Sequence, residues 1–143
     1  MSPAISFTKL NDGWNAEPNA PDPKIVVDGS DVALEFYLNP FQFPSFREDQ
    51  RGRLRFKDAW RYRLGATNDE GWYEGQCRFG TLAPAWGDFY ELTGDLRLIK
   101  GPRDWVVLRR EPDEPLRHFL FYLRDQTFEA DARGYVLDLE VSG

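Results

Sequence analysis

Asp58 is the residue whose position in the sequence points most directly to chemistry. Residues 53–65 alternate basic and apolar side chains with a period of two, the pattern of a β-strand with one charged and one apolar face. In that pattern Asp58 falls on the apolar face, between Phe56 and Trp60. A carboxylate in apolar surroundings must be paired or hydrogen-bonded, or its pKa rises. We therefore expect either a polar anchor for a ligand amine or hydroxyl, or a structural carboxylate at a bend.

Aromatic residues near Asp58 complete a predicted ligand site. Trp60 and Tyr62 follow on the same face, and the segment 83–91 concentrates further aromatic and acidic side chains beside Gly and Pro. Rigid aromatics on a loop are a common basis for recognition. The alternative is that the loop tryptophan plugs an open end of the sheet. The predicted ligand-binding residues are Asp58, Trp60, Tyr62, Trp86 and Tyr90.

The charged face of the same strand offers a second hypothesis. Its basic row has three interpretations: the anion-binding lining of a barrel, a docking surface for an acidic partner, or an ordinary outer face. Because the apolar side should face the core, the row is expected to face outward. Carboxylates of neighbouring strands are then its expected cross-strand partners, namely Asp31, Glu35, Glu129 and Asp131. The predicted partner-binding residues are Arg53, Arg55, Arg61 and Arg63.

Catalytic chemistry has weaker support in the sequence. His118 is the only histidine and Cys77 the only cysteine, so a zinc-type site and an internal disulfide are not expected. The sequence contains no GxGxxG, P-loop or GxSxG motif. Whether the protein is an enzyme stays open; a carboxylate-based enzyme using Asp58, Glu91 or His118 is the third hypothesis. No cofactor or metal is predicted.

Composition and charge restrict the class of protein. The chain has 143 residues and a net charge of −6, distributed as −4 over residues 1–46, +4 over 47–67 and −6 over 68–143. An acidic chain with one short basic segment argues against general nucleic-acid binding. Apolar runs are only a few residues long, and the N-terminal residues lack the pattern of a signal peptide. We expect a cytoplasmic single domain over 1–143, monomeric or homodimeric.

The elements that must position these residues are predicted to be almost entirely strands. Turn signals separate roughly nine short strands, the pattern of an all-β fold. Residues 24–28 and 31–38 form a predicted hairpin across Asp28-Gly29-Ser30. Ser45 and Glu48 fit a capping box, which predicts one short helical turn near 46–51. Residues 119–123 are apolar on both faces, which predicts a strand covered on both sides.

Short connections between successive strands favour an antiparallel meander that closes into a small barrel, with a sandwich as the alternative. The architecture would be that of the lipocalins or streptavidin. The lipocalin hallmark Gly-x-Trp is absent, because Gly13-Trp14 and Gly71-Trp72 lack the intervening residue. From this architecture we expect a non-enzymatic protein that binds a small ligand in the barrel mouth. The alternative is a protein-interaction or regulatory module that uses the Arg53–Arg63 strand face or the Trp86 loop.

Overall fold

The computed structural model describes residues 6–66, 87–94, 105–123 and 126–141, and these residues are all-β. Their ten strands are β1 Ser6–Lys9, β2 Lys24–Asp28, β3 Asp31–Tyr37, β4 Arg51–Lys57, β5 Arg61–Ala66, β6 Phe89–Thr93, β7 Val106–Val107, β8 Arg117–Tyr122, β9 Gln126–Ala132 and β10 Gly134–Val141. The predicted hairpin of β2 and β3 is confirmed. None of the described residues belongs to a helix long and apolar enough to span a membrane.

The helical turn predicted near 46–51 is wrong. Residues 41–50 form separate turns, in which Phe46 donates its backbone N–H to Phe43 and Gln50 donates to Arg47. The Gln50 side chain accepts the backbone N–H of Arg47 and donates to the carbonyl of Leu139. This side chain therefore ties the segment to a distant strand, and the capping box of Ser45 and Glu48 does not form.

The strands form two antiparallel sheets in the described part of the chain. One has six strands in the order β1-β6-β8-β9-β5-β7, and the other has four in the order β10-β4-β3-β2. The ring of Phe56 in the four-stranded sheet lies 5.3 Å from Phe119 and 5.1 Å from Phe128 in the six-stranded sheet, measured between centroids. The sheets therefore share one aromatic core. The predicted closure into a barrel is not confirmed.

The single strand predicted over residues 53–65 is two strands in two sheets. Asp58 takes a left-handed conformation with φ 51°, which turns the chain out of the four-stranded sheet. Trp60 then donates its backbone N–H to Asp131, and so enters the six-stranded sheet. The alternation continues through this break because both strands face the same core: Leu54 and Phe56 from one side, Tyr62 and Leu64 from the other.

The central strands of the six-stranded sheet are covered on both faces. Phe119 and Phe121 of β8 belong to the core, whereas Leu120 and Tyr122 point away from it and are also fully buried. This confirms the prediction made for residues 119–123. The consequence is a second buried layer on the face opposite the aromatic core, and its members include charged side chains.

Candidate functional site

The register of three neighbouring strands brings charged residues together on the buried outer face of the six-stranded sheet. His118 of β8 lies opposite Asp131 of β9, and Asp131 lies opposite Arg61 of β5. Two residues further along, Arg63 of β5 lies opposite Glu129 of β9. Side chains two apart on a strand share a face, so all five point the same way. We call these residues the charge network: Arg61, Arg63, His118, Glu129 and Asp131.

His118 lies at the centre of the charge network between two carboxylates. Its Nδ1 is 2.7 Å from Oδ1 of Asp131, and its Nε2 is 2.7 Å from Oε1 of Glu129. Ionised carboxylates only accept hydrogen bonds, so an imidazole that donates from both nitrogens satisfies both. The His118 side chain is 4% exposed and that of Glu129 is 0% exposed. The arrangement therefore fits a buried imidazolium.

Each carboxylate also contacts an arginine. Nη1 of Arg63 is 3.1 Å from Oε2 of Glu129, and Nε of Arg61 is 2.7 Å from Oδ2 of Asp131. The Arg61 guanidinium carbon lies 4.1 Å from the ring centroid of Trp60 and 3.9 Å from that of Trp105. Cation–π contact with aromatic faces suits the weakly hydrated guanidinium group. These contacts fix the position of the Trp60 ring.

Titration of the charge network follows from burial and opposite charge. Burial alone would lower the pKa of His118, but hydrogen bonds and charge from Asp131 and Glu129 outweigh it, and the pKa of His118 is raised above 6.5. Burial would likewise raise the pKa of Asp131. Its hydrogen bonds and charge interactions with His118 and Arg61 instead hold that pKa below 3.8. The charged forms of both groups are therefore favoured.

A cavity of about 290 Å³ opens beside the charge network, and Trp60 and Asp131 form part of its wall. We call it the Trp60 cleft. Its other lining residues come from the loop between β7 and β8: Glu111, Pro112, Asp113, Glu114, Pro115 and Leu116. The volume lies near the lower limit for small-molecule sites.

Asp58 lies near the Trp60 cleft, but not where the sequence predicted. Arg133 connects it to the cleft, since Nε of Arg133 is 3.3 Å from Oδ2 of Asp58 and Nη2 is 2.6 Å from Oε1 of Glu114. Arg109 contacts Asp58 at 3.7 Å, and Ser30 donates a hydrogen bond to it. The Asp58 side chain is 44% exposed. The prediction that it lies on the apolar face is wrong, because the left-handed turn carries it to the surface among arginines.

The other predicted ligand-binding residues do not converge with Trp60. The Tyr62 ring faces the core and stacks on Phe128, with 6.4 Å between centroids. Tyr90 lies on β6 opposite Leu120, and its hydroxyl bonds to Asp88. Trp86 lies outside the described residues. The structure therefore brings only Asp58 and Trp60 of the predicted set to one region.

The cross-strand pairing predicted for the basic row is confirmed. Arg53 contacts Glu35 at 3.6 Å, and Lys57 contacts Asp31 at 2.9 Å. The expectation of one outward-facing row is wrong, because Arg61 and Arg63 belong to the other sheet and Arg63 is buried. Arg55 differs from the rest: within the described ranges its guanidinium forms no hydrogen bond or ion pair.

Sequence reasoning missed the charge network as a unit. It treated His118 as a residue without a local motif, although it correctly expected Glu129 and Asp131 to pair with arginines. The available signal was the i, i+2 spacing of the two carboxylates, which places them on one face of a strand. Which strand lies beside them is decided by non-local pairing, and no local pattern reports it.

A second cavity of about 420 Å³ lies on another side of the protein. Tyr37 and the exposed ring of Phe41 line it together with several carboxylates. One of these, Glu17, already accepts the backbone N–H groups of Asn19 and Ala20. In the part of the chain that the structure describes, no group of three or more His, Cys, Asp or Glu side chains is arranged to hold a metal ion.

Comparison with known proteins gives no match: no family model matches the sequence, no curated protein is similar to it, and no solved structure matches it.

Proposed function

We propose that this protein binds a small organic cation, an amine or a guanidine, in the Trp60 cleft without converting it chemically. The observation that carries the proposal is the lining of the cleft. Among the described residues of its wall every charged one is acidic, and the wall includes Trp60. Carboxylates and an aromatic face together are the groups that recognise an ammonium or guanidinium ion.

The walls of the cleft are held in place before any ligand arrives. Pro112 and Pro115 restrict the loop backbone, because the proline ring fixes φ. Asp131 is held by His118 and Arg61, and the same arginine packs on Trp60. A site with few free rotamers loses less conformational entropy when it binds. Of the predicted ligand site, the proposal keeps Trp60 in the wall of the cleft, whereas Asp58 lies outside the wall and is linked to it through Arg133 and Glu114.

Binding without catalysis is favoured by the state of the titratable groups. Both nitrogens of His118 and both oxygens of Asp131 already have partners. A proton transfer to substrate would require one of these groups to give up a buried charged hydrogen bond, which is costly. The carboxylate-based enzyme therefore remains the third hypothesis.

Isothermal titration calorimetry tests the proposal with agmatine, which carries one amine and one guanidine, and with 1,4-butanediol as a neutral analogue. We expect heat of binding with agmatine only. Glu111→Gln and Asp113→Asn should each weaken binding by roughly tenfold, the effect of losing one charge-assisted contact of about 1.4 kcal/mol. Asp12→Asn, at an exposed carboxylate that lines neither cavity, is the matched control and should change nothing. Equal binding of butanediol, or unchanged affinity in both cleft variants, would refute the proposal.

For the alternative, a protein-interaction module that uses the Arg53–Arg63 strand face or the Trp86 loop, we infer that Arg55 is the best-supported contact among the described residues. Its neighbours across the sheet are Ala33 and Val136, and Val136 is exposed. An arginine that forms no ion pair with any described residue and lies beside exposed apolar surface favours contact with an acidic partner. Charge reversal by Arg55→Glu should abolish capture of such a partner in a pull-down. Arg53 is less suitable for this test, because its reversal also breaks the internal ion pair with Glu35. Unchanged capture by Arg55→Glu would remove this face from consideration.

A further inference from the structure

Strand β2 is the outermost strand of the four-stranded sheet that the described residues form. It pairs with β3 on one side, and no described strand pairs with it on the other. Val26 is 45% exposed and Val27 is 48% exposed. An apolar edge strand with free backbone groups is a template for pairing with another strand.

The turn that joins β2 to β3 shows which backbone groups of β2 are free. Gly29 has φ +61° and Ser30 does not have a positive φ, which fits a type II′ turn. Such a turn makes Asp28 and Asp31 a hydrogen-bonded pair. Hydrogen-bonded pairs then alternate along the ladder. The N–H and C=O groups of Ile25 and Val27 therefore point away from β3, and no described hydrogen bond uses them.

The sequence of β2, Lys-Ile-Val-Val-Asp, is complementary to itself when two copies run antiparallel. With the two-fold axis at Val26, the Lys24 of one copy lies opposite the Asp28 of the other. Ile25 lies opposite Val27 of the second copy, and these are the residues whose backbone groups point outward. Four backbone hydrogen bonds, two opposite-charge pairs and an apolar centre form in one register.

Two devices that often protect an edge strand, a proline and a bulge, are absent within β2. Its two charges stand at opposite ends with opposite signs. If the register between the two β2 strands shifts by two residues, the charge pairs are lost. If it shifts by one residue, the side chains of the strand are placed on the opposite face. The charges therefore select one register rather than prevent association.

From this complementarity we propose that two copies of this chain associate through β2, antiparallel about Val26, to form a two-fold symmetric dimer. The two four-stranded sheets become one continuous sheet of eight strands. The interface is isologous, so it closes on itself and does not propagate into fibres. The Trp60 cleft belongs to the other sheet and takes no part, so dimerisation and cation binding can fail independently.

Sedimentation equilibrium of the full chain between about 1 µM and 1 mM measures the association. We expect the average mass to rise from monomer to dimer. Lys24→Asp and Asp28→Lys should each weaken the dimer at least tenfold, because each places like charges opposite one another. An equimolar mixture of the two variants should associate, because all opposite-charge pairs are restored between unlike chains. Arg110→Asp, at an exposed position in the loop between β7 and β8, is the matched control and should behave as the parent does.

Val27→Pro provides a second variant that acts on the backbone. Its missing N–H is one that β3 does not use, so the fold should persist while the dimer is lost. Circular dichroism of each variant separates dissociation from unfolding. A parent protein that stays monomeric throughout the concentration range overturns the proposal. Single charge variants that dimerise like the parent, or a mixture that does not associate, also overturn it.

Discussion

At the scale of single residues, the charge network shows how opposite charge can outweigh burial. His118, Glu129 and Asp131 are all buried, and each has partners of the opposite charge. Cross-strand pairing of the arginines with carboxylates was predictable, because alternation fixes which side chains share a face. The surface position of Asp58 was not, because positive φ is uncommon even for aspartate, which is enriched there, and the surrounding alternation masked the turn.

Stability should depend on pH through His118. Its pKa is raised by folding, so its contribution is fully present below about 6.5, the ordinary value, and is lost as pH rises through the raised pKa. The pKa of Asp131 is lowered, so its contribution is present above 3.8 and is lost as pH falls through the lowered pKa. Urea denaturation measured across pH should show the free energy of unfolding fall at both acidic and alkaline pH. His118→Gln should remove the alkaline loss.

The titration of His118 can be followed by NMR without ambiguity, because the chain contains one histidine. The imidazole C–H resonances of the native protein should titrate above pH 6.5. A native midpoint below 6.5 would contradict the charge network described for His118, Glu129 and Asp131.

At the scale of elements, the decisive feature is the turn at Asp58 that divides one apparent strand into β4 and β5. The sequence was sufficient to predict the hairpin of β2 and β3 and the burial of β8 on both faces, since turn residues and apolar patterning are local signals. The helical turn near 46–51 was predicted wrongly, because the Gln50 side chain bonds to Leu139, which is distant in the sequence.

Substitutions at Asp58 should separate backbone strain from charge. In Asp58→Asn the asparagine can adopt the left-handed conformation, but the ion pairs with Arg133 and Arg109 are lost. Because these groups are partly exposed, we expect a loss below about 1 kcal/mol. Asp58→Val places a β-branched residue at φ 51° and should cost about 1–3 kcal/mol more. Denaturant titration of both variants measures the difference, and equal stabilities would mean that the turn does not strain valine.

At the scale of the whole molecule, the two sheets are held together by the aromatic core. Phe56 is central to it, with ring contacts to Phe89, Phe119 and Phe128 of the opposite sheet. An all-β composition was predictable from short strands and frequent turns. The division into two sheets was not, because it depends on pairings such as β1 with β6 that connect residues far apart in the sequence.

Truncation of Phe56 should therefore destabilise the entire molecule. Phe56→Ala leaves a cavity between the sheets and should cost about 3–5 kcal/mol of unfolding free energy. Phe41→Ala removes an exposed ring and serves as the control, with a change of at most about 0.5 kcal/mol. Thermal and urea unfolding measure both. A small effect at Phe56 would show that the sheets do not depend on each other.

The pairing of β4 with β10 also governs when the molecule can mature on the ribosome. Leu54 lies opposite Leu137, so one side of β4 finds its partner only after residues 134–141 have emerged from the exit tunnel. Synthesis proceeds from the N-terminus at a few to some twenty residues per second. During those seconds β4 has β3 on one side and an unpaired edge on the other, so its apolar side chains Leu54 and Phe56 are incompletely covered and accessible to chaperones that bind exposed hydrophobic groups.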